Sequence, residues 1–308
     1  MTAIEATILG DCLGLAPQER FAVLTDESQL TRARALYRAA LRLGAESVLL
    51  LQEPPGEGND LGAAVAAALA VSDVIVSVLP GSVSHSRATH AARANGARVV
   101  SMGASTEEML ARLLDADLRA VAVRSRRVAE ALTSASHARI TCPHGTDLEL
   151  GLAGRSGVAD DGDLRAPGSL GNMPFGEGFI APTGGEGIVV PTTIAGQGRL
   201  AEPPLLEVRG GVLAGADGAA GRLLGEALDR HDAASRTLAE LGIGAHDAAR
   251  ITGNVLEDEK VLGSAHVAFG SSAGFGGSVA VPIHIDCVVA DASLWLDDRL
   301  FDVAGTRR

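Results

Sequence analysis

FAVLTD (Phe21–Asp26) is the first of four short apolar runs that decide the fold of the N-terminal part of the chain. The others are SVLLL (Ser47–Leu51), DVIVSVL (Asp73–Leu79) and RVVSM (Arg98–Met102). Runs of this length and composition are typical of parallel strands that are buried on both faces. Segments of helical period separate them, at about residues 28–44, 60–70 and 84–96. Because strand and helix alternate, we predict a doubly wound α/β domain.

The second part of the chain has a different composition. An arginine-rich helix is expected over residues 119–137, and after it glycine becomes dense and the apolar runs become short. Turn signals such as PHGTD and PTGGEG recur, which is typical of β-rich structure. One further helix is expected at about residues 217–241. We therefore predict an N-terminal α/β domain over residues 1–130 and a C-terminal β-rich (α+β) domain over residues 131–308.

Charge and composition exclude several classes of protein. The 308 residues include 26 basic and 38 acidic ones, a formal net charge of -12. An acidic surface repels phosphate backbones, so we expect no nucleic-acid partner. No apolar segment reaches the roughly 18 residues of a membrane span, and the first residues lack the regions of a signal peptide. Three cysteines without a CxxC pair support no disulfide framework. We expect a cytoplasmic protein that does not contact membranes.

The glycine-rich turns of the α/β domain carry no nucleotide-binding motif. GDCLG (Gly10–Gly14) lacks the GxGxxG spacing, and LPGSVSHS (Leu79–Ser86) has neither that spacing nor a P-loop lysine. The residues that suggest chemistry lie in the second domain instead.

The segment VPIHIDCVV (Val281–Val289) has strand composition and carries an imidazole beside a carboxylate. Side chains alternate across a strand, so His284 and Asp286 share one face. SAHVAFG (Ser264–Gly270) is a second expected strand, and the glycines between the segments allow a turn that brings His266 near the pair. These three residues predict a metal site, although a His–Asp pair alone is also a common structural arrangement.

Two glutamates stand in unexpected surroundings. Glu177 lies between turn signals in GNMPFGEGFIAPTGG and is flanked by apolar residues. A buried carboxylate at that position needs a cation or a hydrogen-bond donor. Glu240, in LAELGIG, is expected at the C-terminal end of a helix, where negative charge is disfavoured. Each glutamate therefore predicts a positive partner.

Five motifs of the second half support a comparison with a known family. They are PHGTDLEL (Pro143–Leu150), NMPFGEGFIAP (Asn172–Pro182), LAELGIG (Leu238–Gly244), DEKVLGSAHVAFG (Asp258–Gly270) and FGGSVAVPIHID (Phe275–Asp286). In this order they resemble the aminopeptidase T and aminopeptidase S family of leucyl aminopeptidase-like metalloenzymes. The upstream block SVSHSRATHAARANGARVVSMGAST is also similar to the N-terminal domain of that family, so the resemblance covers nearly the whole chain.

The resemblance implies a metal-dependent aminopeptidase-like hydrolase that cleaves an amide or N-terminal peptide bond of a small substrate, and a homodimer. It implies two divalent ions, such as zinc, cobalt or manganese, held by two glutamates, two histidines and an aspartate. Carried over to this chain, these are Glu177, Glu240, His266, His284 and Asp286. One carboxylate would bridge the ions, and a metal-activated water would attack the carbonyl. The two glutamates are the implied catalytic residues, and which of them bridges is left open.

Two positions depart from the pattern of the family. Family aminopeptidases generally carry paired glutamates where this chain has Gly176 and Glu177. They also carry a tyrosine that steadies the oxyanion where this chain has Ala273. Since loss of one oxyanion donor costs about 100- to 1000-fold in turnover, the departures weaken the expectation of peptidase activity.

Two alternatives use the same residues. The sequence is also similar to 2,5-dihydroxypyridine 5,6-dioxygenases, which bind one Fe(II) through two histidines and one carboxylate. His266, His284 and Asp286 supply that triad, which predicts a ring-cleaving dioxygenase acting on a hydroxylated pyridine or related small aromatic. This alternative gives Glu177 and Glu240 no role as ligands. The other alternative is a binding protein that a metal ion only stabilises, but an oxygen-rich donor set without cysteine favours an open catalytic site.

A charge run, Glu257–Lys260, precedes the first expected metal ligand. We expect its acids to form a solvated turn, with the alternative that Glu259 reaches the site as a partner of the ligands. Lysine is rare in this chain, and we expect Lys260 to lie near the site as a partner of the ligands or of a substrate carboxylate. His246 and Asp247 are expected at the surface.

Overall fold

The computed structural model describes residues 1–53, 61–84 and 86–305. Residue 60, the expected start of one helix, lies outside them. The chain forms two compact units, Met1–Asp115 with Gly162–Phe175 (the first unit) and Ala116–Asp161 with Gly176–Arg308 (the second unit). The sequence predicted a single boundary at residue 130, which falls inside a helix of the second unit, because that helix packs its apolar face into the core of this unit.

The elements are numbered in chain order over the described residues. The α-helices are α1 (Ala3–Ala6), α2 (Leu30–Arg42), α3 (Ala63–Ala70), α4 (Arg87–Ala94), α5 (Glu107–Leu113), α6 (Leu118–Ser134), α7 (Gly218–Asp229) and α8 (Val255–Asp258). The strands are β1 (Arg20–Thr25), β2 (Glu46–Leu51), β3 (Val74–Ser77), β4 (Arg98–Ser101), β5 (His137–Thr141), β6 (Asp147–Gly151), β7 (Val158–Asp160), β8 (Leu170–Asn172), β9 (Glu177–Ile180), β10 (Gly184–Val189), β11 (Thr193–Ile194), β12 (Gly198–Arg199), β13 (Leu206–Arg209), β14 (Val212–Ala216), β15 (Leu238–Gly244), β16 (Ala265–Gly270), β17 (His284–Val289), β18 (Ser293–Leu296) and β19 (Arg299–Leu300). A π-helical turn spans Thr7–Cys12, and 3-10 turns span Glu27–Gln29 and Ala233–Arg236.

The first unit contains the predicted α/β fold. In the part of it that the structure describes, five strands form a parallel sheet in the order β2-β1-β3-β4-β8. Four of these strands are the apolar runs recognised in the sequence, and β8 comes from the later segment that returns to this unit. Leu24, Ile75 and Val99 of the strands pack with Leu69 and Ala92 of the helices. Apolar side chains on both faces of a parallel sheet produce this arrangement.

The second unit is built on two antiparallel sheets. Over the described residues, the flanking sheet has the strand order β14-β13-β10-β6-β5-β18-β19, and the site sheet has the order β12-β11-β17-β16-β15-β9-β7. One apolar cluster takes Ile140 and Leu150 from the flanking sheet, Leu241 and Val267 from the site sheet, and Val128 from α6. Because side chains alternate along a strand, the opposite face of the site sheet is left for polar residues.

The predicted helix over residues 217–241 is wrong in its second half. α7 ends at Asp229, and Glu240 lies on β15. Leucine, alanine and glutamate favour helix in isolation, but every residue of β15 is buried between β9 and β16. Tertiary packing overrides a weak helix propensity, and Gly242 and Gly244 lower that propensity further. No helix among the described residues is both long and apolar enough to cross a membrane.

Candidate metal centre

The hairpin of β16 and β17 carries the two histidines and the aspartate that the sequence singles out. His284 and Asp286 lie opposite Gly270 and Ala268. Residues opposite each other in an antiparallel pair share a face of the sheet. His266 lies two residues before Ala268 and therefore on the same face. The strand pairing thus brings His266, His284 and Asp286 to one face of the site sheet.

β15, β9 and β7 add carboxylates to this face. Glu240 lies opposite Ala268, and Glu177, the first residue of β9, lies opposite Gly244. Asp160 of β7 pairs in turn with Glu177. These side chains therefore project from the face that is turned away from the apolar core.

Two glycines of β15 make room on the polar face. A Cβ atom at Gly242 would overlap the imidazole of His266, and one at Gly244 would overlap the carbonyl oxygen of Val261. The ring of His266 therefore lies across Gly242. The chain that carries Lys260 crosses the sheet over Gly244, which is how a residue from a loop enters the site.

The charge run before β16 is buried, so the prediction of a solvated turn is wrong. Glu257, Asp258 and Glu259 are 1%, 0% and 7% exposed. The carboxylate of Asp258 accepts hydrogen bonds from Thr193 Oγ1 at 2.7 Å and from the N–H of Thr252 at 2.6 Å. Protein donors replace water around this carboxylate, and they fix the loop that leads to Lys260.

His246 is also buried, contrary to the expectation of a surface position. Its N–H donates to the carbonyl oxygen of Lys260 at 2.8 Å, and its own carbonyl accepts from the N–H of Leu262 at 3.2 Å. The residue holds the crossing loop through its backbone. A contact of this kind leaves no periodic pattern in the sequence.

The site has two sides. Lys260, Glu177, Glu259 and Asp160 form the lysine side, and His266, His284, Glu240 and Asp286 form the histidine side. On the lysine side, Lys260 Nζ lies 2.5 Å from Glu177 Oε1 and 2.7 Å from Glu259 Oε1. The same nitrogen lies 3.6 Å from Asp160 Oδ2. The lysine side chain is 0% exposed, so these carboxylates take the place of its hydration shell.

On the histidine side, a backbone carbonyl orients the ring of His284. Its Nδ1 lies 2.8 Å from the carbonyl oxygen of Ser271. Since a carbonyl only accepts, Nδ1 carries a hydrogen, and the neutral ring has its lone pair at Nε2. Nε2 lies 3.3 Å from Asp286 Oδ1 and 3.4 Å from Glu240 Oε2. Metal-binding imidazoles are commonly oriented in this way by a partner on the other nitrogen.

Glu240 links the two imidazoles. His266 Nε2 lies 3.2 Å from Glu240 Oε1, and the other oxygen of this carboxylate faces His284. His266 Nε2 also lies 3.5 Å from Glu177 Oε2. His266 therefore stands at the junction of the histidine and lysine sides.

Burial and the ammonium compete for the protonation of the lysine side. Burial raises the pKa of Glu177 to about 8, although the charge of Lys260 acts in the opposite direction. Burial also raises the pKa of Glu259 against the effect of the same ammonium. For Lys260 itself, burial lowers the pKa, but the charges of Glu177 and Glu259 outweigh it and raise the pKa well above its usual range. The lysine is therefore a permanent cation of the site.

On the histidine side, the neighbouring carboxylates favour the protonated form of the imidazoles. Burial favours a higher pKa for Glu240, but hydrogen bonds with His266 and His284 hold this pKa below its usual range. Burial lowers the pKa of His266, but the hydrogen bond to Glu240 and nearby carboxylates outweigh it and raise the pKa to about 9. For His284, burial is likewise outweighed, first by the charge of Asp286, and the pKa is raised. Protons therefore collect here unless another cation takes their place.

The donor atoms fit a divalent cation. Glu177, Glu259 and His266 offer ligand atoms that all lie within 4.8 Å of one another, as do Glu240, His266 and Asp286. Oε2 of Glu177 and Nδ1 of His266 are buried and have no hydrogen-bond partner among the described residues. Buried carboxylates in excess of cations are costly. A bound ion would offset that cost.

Two aromatic rings stand beside the histidine side. The ring of Phe275 lies edge-on to that of His284, with centroids 6.0 Å apart. It also lies edge-on to Phe179, with centroids 5.4 Å apart. These rings provide an apolar wall next to the polar cluster.

The sequence interpretation missed Asp160 as a member of the site, and it ranked a place in the site for Glu259 below a solvated turn. Glu259 lay within a charge run, and Asp160 lies in the acidic stretch VADDGD. Charge runs are typical of solvated loops, and the only available signal was that Glu259 adjoins Lys260 just before an expected strand.

Comparison with known proteins agrees with this geometry. A family model described as NicX, 2,5-dihydroxypyridine 5,6-dioxygenase, matches residues 5–306. The chain belongs to the 2,5-dihydroxypyridine 5,6-dioxygenase family. This chain is therefore an enzyme of a metal-dependent family, and the match favours the dioxygenase alternative over the aminopeptidase-like hydrolase.

Two solved structures share the fold of this dioxygenase-family chain. The 2,5-dihydroxypyridine dioxygenase from Pseudomonas putida KT2440 superposes with a TM-score of 0.80 at 21% identity, over 97% of this chain and 94% of that chain. AmpT from Thermus thermophilus superposes with a TM-score of 0.67 at 19% identity, over 99% of this chain and 96% of that chain. The predicted fold class is confirmed. The resemblance to both the aminopeptidase T family and the 2,5-dihydroxypyridine 5,6-dioxygenases is confirmed as well. Among curated proteins, none matches this sequence closely enough to add a relative.

Proposed function

We propose that this protein is a mononuclear non-haem Fe(II) dioxygenase that opens the ring of a hydroxylated pyridine or a related small aromatic. Membership of the 2,5-dihydroxypyridine 5,6-dioxygenase family supports the reaction class. The donor set supports the metal, because two imidazoles and one carboxylate form the facial triad of oxygen-activating iron. In this proposal His266, His284 and Asp286 hold the ion.

The observation that carries the proposal is the hydrogen bond from His284 Nδ1 to the carbonyl oxygen of Ser271, at 2.8 Å. It reserves Nε2 of His284 for a cation on the side where Asp286 and Glu240 lie. Because the ionised carboxylates of Asp286 and Glu240 cannot donate a hydrogen bond, the lone pair of Nε2 needs a proton or a metal ion on that side.

Bound Fe(II) would supply the one-electron chemistry that dioxygen activation requires. The protein's own residues would set the geometry around it. Glu240 contacts both imidazoles and keeps their spacing, so we assign it as a positioning residue. Glu177 pairs with Lys260, which leaves it poorly suited to the role of bridging metal ligand that the hydrolase resemblance implies.

The aromatic wall supports a flat, small substrate. Phe275 lies beside His284 and Phe179 lies beside Phe275, and aromatic rings prefer such edge-on contacts. Ala273 stands where family aminopeptidases carry a tyrosine, so the oxyanion donor of amide hydrolysis is absent from that position. The expected homodimer stays a prediction, which light scattering of the purified protein tests.

Oxygen uptake tests the proposal. The protein is reconstituted with Fe(II) without air, and 2,5-dihydroxypyridine is added in air-saturated buffer. We expect one O2 consumed per substrate, without an added reductant, and loss of uptake in H284A. No uptake, together with release of amine from an aminoacyl anilide by the Zn(II)- or Co(II)-loaded protein, would favour the hydrolase instead.

A further inference from the structure

Lys260 is the only lysine among the 308 residues, whereas all other basic side chains are arginines or histidines. It is fully buried. Lysine is almost never buried completely unless it is paired. An ammonium is a compact point charge, unlike the broad planar guanidinium of arginine. The only lysine side chain of the sequence therefore lies inside the polar site.

The position of this ammonium coincides with a set of metal-ligand atoms. Glu177 and Glu259 each place one oxygen within 2.7 Å of Nζ, and Asp160 places one at 3.6 Å. Glu177, Glu259 and His266 also form one of the two groups whose ligand atoms lie close enough to hold an ion. The second oxygen of Glu177 is buried without a hydrogen-bond partner among the described residues and faces His266.

We propose that the Lys260 ammonium takes the place of a second divalent ion. The wild-type protein accordingly binds one ion, on the histidine side. Removal of the lysine side chain opens a second site for a hard divalent cation, formed by Glu177, Glu259 and Asp160.

The balance of charge on the lysine side leads to this conclusion. Three buried carboxylates need positive charge, and in the wild-type protein the ammonium supplies it with direct contacts to two of them. Without the ammonium, the same oxygens would be left as uncompensated buried charges, which strongly destabilise a protein. Carboxylate oxygens suit Mn(II), which prefers hard ligands.

The ion on the histidine side rests on the proposed function. The replacement of a second ion by the Lys260 ammonium does not depend on that function. The number of ions does not depend on whether the reaction is oxygenation.

Equilibrium dialysis with Mn(II) tests the proposal on the full chain. We expect one Mn(II) per wild-type chain and two per chain of K260A, in which the side chain is removed and space is vacated. K260M is the matched control, because methionine removes the charge but fills similar volume, and it should bind one Mn(II). Two ions in the wild type, or one ion in a folded K260A, would overturn the proposal.

Thermal unfolding covers the case in which K260A is unstable. The midpoint of K260A should be low in chelator and should rise with Mn(II) by more than that of K260M. If Mn(II) does not restore the folded state of K260A, the proposal is also overturned. Failure of oxygen uptake by the wild type would remove the proposed function while leaving these ion counts unchanged, so the two failures are distinguishable.

Discussion

The two units of the molecule hold charge in different surroundings. In the first unit, Arg20 and Asp73 form a pair at 2.6 Å whose side chains remain 51% and 35% exposed. In the described part of the second unit, five carboxylates gather around the ammonium of Lys260 and the imidazoles of His266 and His284, and none of these side chains is more than 17% exposed.

The difference shows which unit needs a cation from outside. An exposed pair is balanced one to one and screened by water, so its loss changes stability little. The buried site has more carboxylates than cationic side chains, and in low dielectric that imbalance must be met by protons or by a metal ion. The predictions below test this contrast.

The largest effect is expected from loss of a histidine-side ligand. Removal of even an outer partner of a metal ligand costs about 10- to 100-fold in affinity, so H284A should lose at least about 100-fold for Mn(II). Equilibrium dialysis measures this loss. His137→Ala on β5, which removes a partly exposed histidine outside the site, should keep wild-type affinity. Wild-type Mn(II) binding by H284A would contradict the assignment of the site.

A second large effect concerns pH. The pKa of His266 is raised to about 9 and that of Glu177 to about 8 in the absence of an ion. An ion on the histidine side must displace the imidazole proton, so apparent affinity should rise up to about pH 9 and fall on acidification. Mass action gives about tenfold per pH unit for each proton displaced. Calorimetry in two buffers of different ionisation enthalpy counts the protons released, and a count of zero between about pH 6 and 8 would contradict ligation by His266.

An intermediate effect is expected from crowding the polar face. In Gly242→Ala the new methyl overlaps the imidazole of His266. Overpacking of this kind costs about 1 to 3 kcal/mol, and displacement of the ring should also weaken Mn(II) binding. Gly10→Ala in the first unit is the matched control, because its Cβ meets nothing within 4 Å. Urea unfolding compares the variants, and equal stability of the two would show that Gly242 is not needed to seat the ring.

The smallest effect is expected from the exposed pair of the first unit. Hydrogen bonds from Arg20 hold the pKa of Asp73 at about 2. This contribution is present above about pH 4, the usual pKa of an aspartate, and is lost as the pH falls towards 2. Because the pair is exposed, Asp73→Asn should cost under about 1 kcal/mol at pH 7. Urea unfolding at pH 7 and pH 2.5 should show the difference shrinking at the lower pH, whereas a constant difference would mean that Asp73 acts through something other than its charge.

The sequence predicted the features that follow local periodicity. Four buried runs separated by helical segments were enough for the α/β unit. Alternation along β17 was enough to put His284 and Asp286 on one face, because the period of a strand is two residues. The surroundings of Glu177 and Glu240 indicated that each needs a positive partner, and the resemblance in the order of the motifs suggested that both are metal ligands.

The sequence could not predict features that depend on contacts between distant parts of the chain. Glu240 was expected on a helix because its neighbours favour helix, but sheet pairing on both sides decides its conformation. The burial of Glu259 and Asp160 depends on the loop that crosses Gly244 and brings Lys260 over the sheet. A run of charged residues in a sequence indicates exposure to solvent. Only the structure shows that the buried ammonium of Lys260 allows these carboxylates to be buried as well.

Isotope labelling during turnover tests the central claim most directly. The Fe(II)-reconstituted protein is supplied with 2,5-dihydroxypyridine and 18O2 in unlabelled water, and the product is analysed at once by mass spectrometry. A ring-cleaving dioxygenase places both atoms of O2 in the product, so we expect two labelled oxygens in the ring-opened molecule. A product that takes its new oxygen only from water would contradict the account and indicate hydrolysis.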